Sequence, residues 1–316
     1  MQCNPPNQSA RHVKERPALH DYVRKLLFTD LSKTSAPTVL EKLRKLPWQD
    51  PVMGGYLLRR FVKVWKYKYS IIDLLAYLVG GLKRTHDDFR VAVVDCVLEE
   101  LRVGLEENDY RQNQRRIAIV RYLGELYNYR SVEASVIFDV LHLILRFGHE
   151  GGRAQLGHEC PIDLPDDYFR IRLVCTLLDT CGDCFDEKKD AVKVDAFLIY
   201  LQRYVLTKVN IPMEIDFMLA DTLELLRPKL VFVKDYELAC NEVDRIEREV
   251  MEQLKAGKAA LSAAEQDTSE EQDEDDVGSR RRQFMGSDDE EGEEDDDDDD
   301  QPDDEMVCIY LFHVFR

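Results

Sequence analysis

The sequence lacks most of the features on which membrane proteins and common enzymes are built. No run of about 18 apolar residues occurs, so nothing is long enough to cross a bilayer as a helix, and the apolar Met306–Phe315 has only about half that length. Met1–Lys14 has no apolar core behind a basic stretch, so no secretory leader is visible. The eight cysteines are neither dense nor regularly spaced, and Cys96 and Cys175 sit inside apolar periodic segments, which points to free thiols in a reducing compartment. Gly54-Gly55, Gly80-Gly81 and Gly151-Gly152 have neither the lysine nor the strand of a phosphate loop, and no serine elbow occurs. None of the seven scattered histidines pairs at i, i+4 as in a zinc-protease helix. The sequence therefore offers no catalytic residue, no cofactor motif and no metal site, and an enzyme is not expected.

Charge is abundant but unevenly placed. The 316 residues carry 62 acidic and 43 basic side chains, a formal charge of −19. From Glu265 to Glu305 there are 23 acidic residues against Arg280, Arg281 and Arg282, whereas positions 1–264 hold 39 of each sign. The body is neutral, and the acid excess belongs to a tail whose self-repulsion favours an extended, disordered state. Within that tail, Ser287-Asp-Asp-Glu290 has the acid-following pattern of a phosphorylation site for an acid-directed kinase.

Between Pro17 and Leu254 nearly every segment has helical period, and convincing strand alternation is absent. Helices are expected at 18–27, 38–46, 51–65, 70–82, 87–106, 113–127, 132–147, 168–180, 192–209, 213–225 and 235–254, with a polar loop over 149–165. Short connections imply antiparallel neighbours. The expected fold is all-α, a HEAT-like α-solenoid of about five antiparallel helix pairs, with an irregular helical bundle as the competing arrangement; no repeated motif is readable. The domain boundaries read as a disordered segment at 1–15, the helical domain at 16–258, the acidic tail at 259–305 and an atypical apolar segment at 306–316.

Three local features bear on function. In the helix expected over 87–106, Val94, Leu98, Leu101 and Leu105 form a stripe that should face the core. Asp95, Glu99, Arg102 and Glu106 repeat that spacing, turned by about 100° around the axis, and line an exposed ridge with Glu100 and Glu107 further round. The ridge reads either as a partner-binding surface or as a solvated face with Glu99–Arg102 and Arg102–Glu106 pairs of tenths of a kcal/mol each. Arg115 and Arg116 open the next helix, where basic residues oppose the macrodipole. They are candidates for RNA phosphate contact, or for a local pair with Glu106 or Asp109, and Lys63, Lys66, Lys68, Lys83 and Arg84 could join them in a patch. Cys181-Gly-Asp-Cys184 has redox or half-zinc spacing without a second ligand pair or a βαβ context, so Gly182 is expected to close the preceding helix as a left-handed cap.

Five stretches carry a resemblance: Leu46–Asp50, Asn113–Ile117, Tyr122–Arg130, Phe169–Gly182 and Asp221–Lys229. Together, over about Arg16–Leu254, the chain resembles the third middle-of-initiation-factor-four-G domain of the Up-frameshift two family, the regulators of nonsense transcripts. The resemblance implies a HEAT-like scaffold without catalytic activity, cytoplasmic and perinuclear, acting in nonsense-mediated mRNA decay. It implies binding of the RNA-recognition-motif domain of the Up-frameshift three protein and, through it, a link to the exon junction complex. The family's acidic contact positions fall by motif on Asp95, Glu99 and Glu106, which selects the binding reading of the ridge. An RNA-binding module built on the basic residues is the alternative. Two departures stand out. The chain starts just before the third of the family's middle domains, and the family's segment for the Up-frameshift one helicase is not recognised in Met306–Arg316. The expectation is a fragment or an isoform, with helicase binding left in doubt.

Overall fold

The computed structural model describes residues 17–185, 188–230 and 232–267. The expected segment at 1–15, Ser287, most of the acidic tail and the segment 306–316 lie outside them. Among the described residues the regular structure is helical, with a single isolated bridge between Cys160 and Asp163.

Eleven α-helices are described: α1 (Ala18–Lys25), α2 (Ala36–Arg44), α3 (Pro51–Val62), α4 (Ile72–Leu82), α5 (Asp87–Glu107), α6 (Asn113–Asn128), α7 (Ala134–Arg146), α8 (Phe169–Cys181), α9 (Lys188–Val205), α10 (Met213–Leu226) and α11 (Tyr236–Asp267). Their ends follow local chemistry. Asp50 caps α3, accepting from the Val52 amide at 3.0 Å, and Pro51 fills the first position, where no amide partner is needed. Asp87 and Asp88 lie in the first turn of α5, against the positive end of its dipole. Helix α11 runs to Asp267, past Leu254 and past the expected boundary at 258, because Ala256, Ala259, Ala260, Leu261, Ala263 and Ala264 strongly favour helix.

The helices stack in two layers. Along the chain most helices pack on the second-next helix: α1 on α3 and α3 on α5, α7 on α9 and α9 on α11, and in the other layer α2, α4, α6, α8 and α10 in succession. The layers meet where α5 touches α4 and α6, and where α7 touches α6 and α8. The outcome is the expected all-α, HEAT-like solenoid, built on this alternate-helix packing. One continuous core runs from Val23 to Leu226, burying Phe61, Leu75, Val97, Tyr122, Leu141, Leu177 and Leu198 along its length.

Two glycines set how closely neighbouring helices of one layer approach. A Cβ on Gly124 of α6 would stand 2.9 Å from the Thr180 side chain of α8, a contact that real Cβ atoms do not make. Gly182 corrects the expectation of a left-handed cap: its φ and ψ are −61° and −34°, and α8 passes into a short 3-10 turn over Gly182–Cys184. What the residue supplies is space, since a Cβ there would stand only 2.5 Å from the Leu226 side chain.

The long connection from α7 to α8 is anchored by a buried charged cluster. The fully buried Asp163 carboxylate accepts from Lys208 Nζ at 2.7 Å and from the Tyr204 hydroxyl at 3.0 Å, and His149 Nε2 lies 2.7 Å away. Arg170 Nε stands 3.5 Å from the same carboxylate, while its Nη1 donates to the carbonyls of Ile144 and Phe147, the end of α7. Burial pushes the Asp163 carboxyl up, but the His149 hydrogen bond and the Arg170 and Lys208 charges outweigh it and hold the group below its ordinary range.

Candidate partner-binding site

Helix α5 presents the ridge because its other faces are occupied. Phe89, Val93 and Val97 are buried, as are Val94, Leu101 and Leu105 of the expected stripe; Leu98, the fourth member, is half-buried against the core. Asp95 and Glu99 are partly exposed, and Arg102 and Glu106 are exposed. From Asp95 to Glu106 the helix rises about 17 Å. Burial raises the Asp95 carboxyl above its ordinary value, opposed by the charge of Arg90.

The local pairs expected for a merely solvated face do not form. Among the described residues, Glu99, Arg102 and Glu106 have no hydrogen bond or ion pair, so both carboxylates and the guanidinium stay open to an external partner. Glu100 is different: it takes Arg115 through Nη2 at 2.6 Å and Nε at 3.1 Å, which removes it from the open surface. That pair lies beneath the Trp65 ring, whose centroid is 4.2 Å from the Arg115 guanidinium carbon.

Arg115 and Arg116 are therefore not placed as expected. Arg115 is committed to Glu100, Gln112 and Trp65. Arg116 is buried: its aliphatic stem passes over Gly104 of α5, its guanidinium stacks 4.3 Å from the Phe169 ring, and Nη1 donates to Asn108 at 2.9 Å. Burial lowers its pKa to about 10 despite the opposing charge of Asp167. Neither arginine turns its head outward to a phosphate, and neither forms the alternative pair with Glu106 or Asp109. The feature that could have signalled this is Gly104, a glycine inside an otherwise bulky helix.

The remaining basic positions divide. Lys63, Lys66 and Lys68 lie on the α3–α4 connection, whereas Lys83 and Arg84 lie at the opposite end of α4. There Lys83 donates to the Arg130 carbonyl at 3.1 Å, and Arg44 donates to that of Gly81 at 2.7 Å. Arg44, Lys83, Arg84 and Arg130 thus form an exposed basic cluster that joins three connections of the chain. Only Lys83 and Arg84 of these four stood out in the sequence.

Cys181 and Cys184 are both free thiols in different surroundings. Cys181 is buried and donates to the Leu177 carbonyl at 3.2 Å, and burial pushes its thiol up, while Cys184 is exposed. Among the described residues no three metal-ligating side chains gather, and no helix is long and apolar enough to cross a membrane.

Comparison with known proteins agrees with this architecture. Residues 21–229 match the model of the MIF4G domain. The chain is similar to "Regulator of nonsense transcripts UPF2" of Arabidopsis thaliana, 51% identical over 228 residues, which are 72% of this chain and 19% of that protein. It is similar to "Regulator of nonsense transcripts 2" of Homo sapiens, 44% identical over 261 residues, 80% of this chain and 20% of that protein. A third relative is "Nonsense-mediated mRNA decay protein 2" of Saccharomyces cerevisiae, 38% identical over 157 residues, half of this chain and 14% of that protein. The chain spans about a fifth of the length of the first two.

Proposed function

The chain belongs to the MIF4G domain family, and from that premise we propose that it is a non-catalytic scaffold of nonsense-mediated mRNA decay, with the α5 ridge as its docking surface. The partner is the RNA-recognition-motif domain of the Up-frameshift three protein, which would tie the scaffold to the exon junction complex in the perinuclear cytoplasm. The observation that carries this reading is the ridge itself: Asp95, Glu99 and Glu106 share one face of a helix whose opposite side is locked in the core, and Glu99 and Glu106 are unpaired among the described residues. Such a face adds little to the stability of its own fold and costs nothing to strip of internal partners when a basic surface arrives. Its carboxylates would steer association, and the binding would weaken with salt. The names of the relatives, regulators of nonsense transcripts and a decay protein, support the pathway.

The test is charge reversal. Glu106→Arg, and the triple variant Asp95→Lys/Glu99→Arg/Glu106→Arg, should abolish pull-down of the RNA-recognition-motif domain while circular dichroism stays helical. Undiminished binding by the triple variant overturns the ridge.

A second reading, an RNA-binding module, moves from Arg115 and Arg116 to the cluster of Arg44, Lys83, Arg84 and Arg130. Helix ends favour cations in any case, because the carbonyl dipoles point there. A gel shift on the chain without its acidic tail, at low salt where phosphate contacts are strongest, distinguishes the two roles.

A further inference from the structure

Tyr110 is 74% exposed, the most open of the large hydrophobic side chains among the described residues. It follows the end of α5, on the 3-10 turn Tyr110–Gln112 that joins α5 to α6. A slack loop does not account for its exposure. Asn108 adopts a left-handed conformation (φ 45°), donates to the Ile162 carbonyl at 3.1 Å and to Asp167 at 3.0 Å, and accepts from Arg116 at 2.9 Å. Asp109 accepts from the Arg111 amide at 2.9 Å and closes the turn. The chain thus holds an aromatic ring in water on a backbone tied down from both sides. The Arg111 guanidinium approaches the ring at 5.8 Å, and the hydroxyl has no hydrogen bond among the described residues.

We infer that Tyr110 is the aromatic anchor of the interface whose charged part is the α5 ridge, seated against a basic protein surface. The inference rests on the docking role proposed for that ridge. The occupant follows from charge: Glu106, Glu107 and Asp109 precede the ring, so a lysine or arginine can lay its stem and charge on the ring while meeting a carboxylate. Tyrosine suits the position because it buries 150–250 Å² at little conformational cost and is enriched among the residues that dominate binding. The ridge then supplies steering and the ring supplies residence time.

Titration calorimetry of the chain against the Up-frameshift three RNA-recognition-motif domain, at three salt concentrations, tests the assignment. Tyr110→Ala should weaken binding at least tenfold without changing the salt dependence, Tyr110→Phe should stay within about threefold of the parent, and Val192→Ala, an exposed apolar residue of α9, should have no effect. Glu106→Arg should instead flatten the salt dependence. Parent-like affinity of Tyr110→Ala, with Glu106→Arg impaired, overturns the anchor and leaves the ridge standing. Loss of binding in Tyr110→Ala alone upholds the anchor and removes the ridge. Failure of the unaltered chain to bind the domain overturns both.

Discussion

Replacing Asp163 by asparagine would leave Lys208 and Arg170 buried, with the ammonium 2.7 Å and the guanidinium 3.5 Å from a group that no longer carries charge. Both cations are almost wholly shielded from water, so neither can recover its hydration without opening the structure. Breaking a buried pair by removing one partner costs about 3–5 kcal/mol, because the surviving charge is uncompensated. Here the loss lies towards the upper part of that range, since two cations share the one anion. For a domain of this size, about 2–4 °C of melting temperature is lost per kcal/mol, so the transition should fall by roughly 10 °C or more. Urea denaturation followed by circular dichroism measures it. The double variant Asp163→Asn/Lys208→Met removes one orphaned cation and should recover at least about 1 kcal/mol relative to the sum of the single changes. A loss below about 1 kcal/mol in Asp163→Asn, or simple additivity in the double variant, refutes the assignment. The pH dependence follows in sign. A carboxyl held below its unfolded value contributes stability that is complete above that value, near pH 4, and disappears as pH falls through the folded pKa; the asparagine variant lacks this acid-dependent component.

Gly124→Ala should cost about 1–3 kcal/mol by forcing α6 and α8 apart at Thr180, measured as a lowered urea midpoint with an unchanged slope; a neutral outcome would mean that this contact yields freely. His142 is pushed down to about 4 by burial and by the charge of Arg146, against the opposing pull of Asp139. Its folded form resists protonation, so the chain should lose up to about 3 kcal/mol as pH falls from the unfolded value near 6.5 towards 4. His142→Leu should flatten that decline, and an identical decline in the variant would assign it to other groups.

The helices were legible because each needs only its own apolar period and its own end signals. Asp50-Pro51 marked the start of α3, and the 21 residues of α5 declared both a buried and an open side from spacing alone. The ridge was readable for the same reason: all its members lie on one helix. What failed were properties set by residues distant in the chain. Arg116 is turned inward onto Phe169, and the space left by the missing Cβ of Gly182 is taken by Leu226. Neither partner can be inferred from the local sequence. The Asp163 cluster is still less accessible, because it draws His149 and Arg170 together with Tyr204 and Lys208, more than forty residues away from the carboxylate in two cases. Tyr110 reads as an ordinary loop residue until the fixed turn shows that its ring is held outward.

Because α2, α4, α6, α8 and α10 pack in succession, position along the chain is also position along the molecule. The body's electrical neutrality then conceals a separation of charge. Residues 17–86, which build α1 to α4, hold 13 basic and 5 acidic side chains, whereas residues 87–267 hold 23 basic and 35 acidic. The solenoid is therefore a charged rod with a positive and a negative pole, and the ridge begins where the sign changes. A basic partner approaching α5 meets repulsion on one side and attraction on the other. At physiological salt these fields decay within about 8 Å, so the polarity acts on the final approach and not at long range. It would fix the direction in which the partner lies across the helices, a choice that three carboxylates in a row cannot make by themselves.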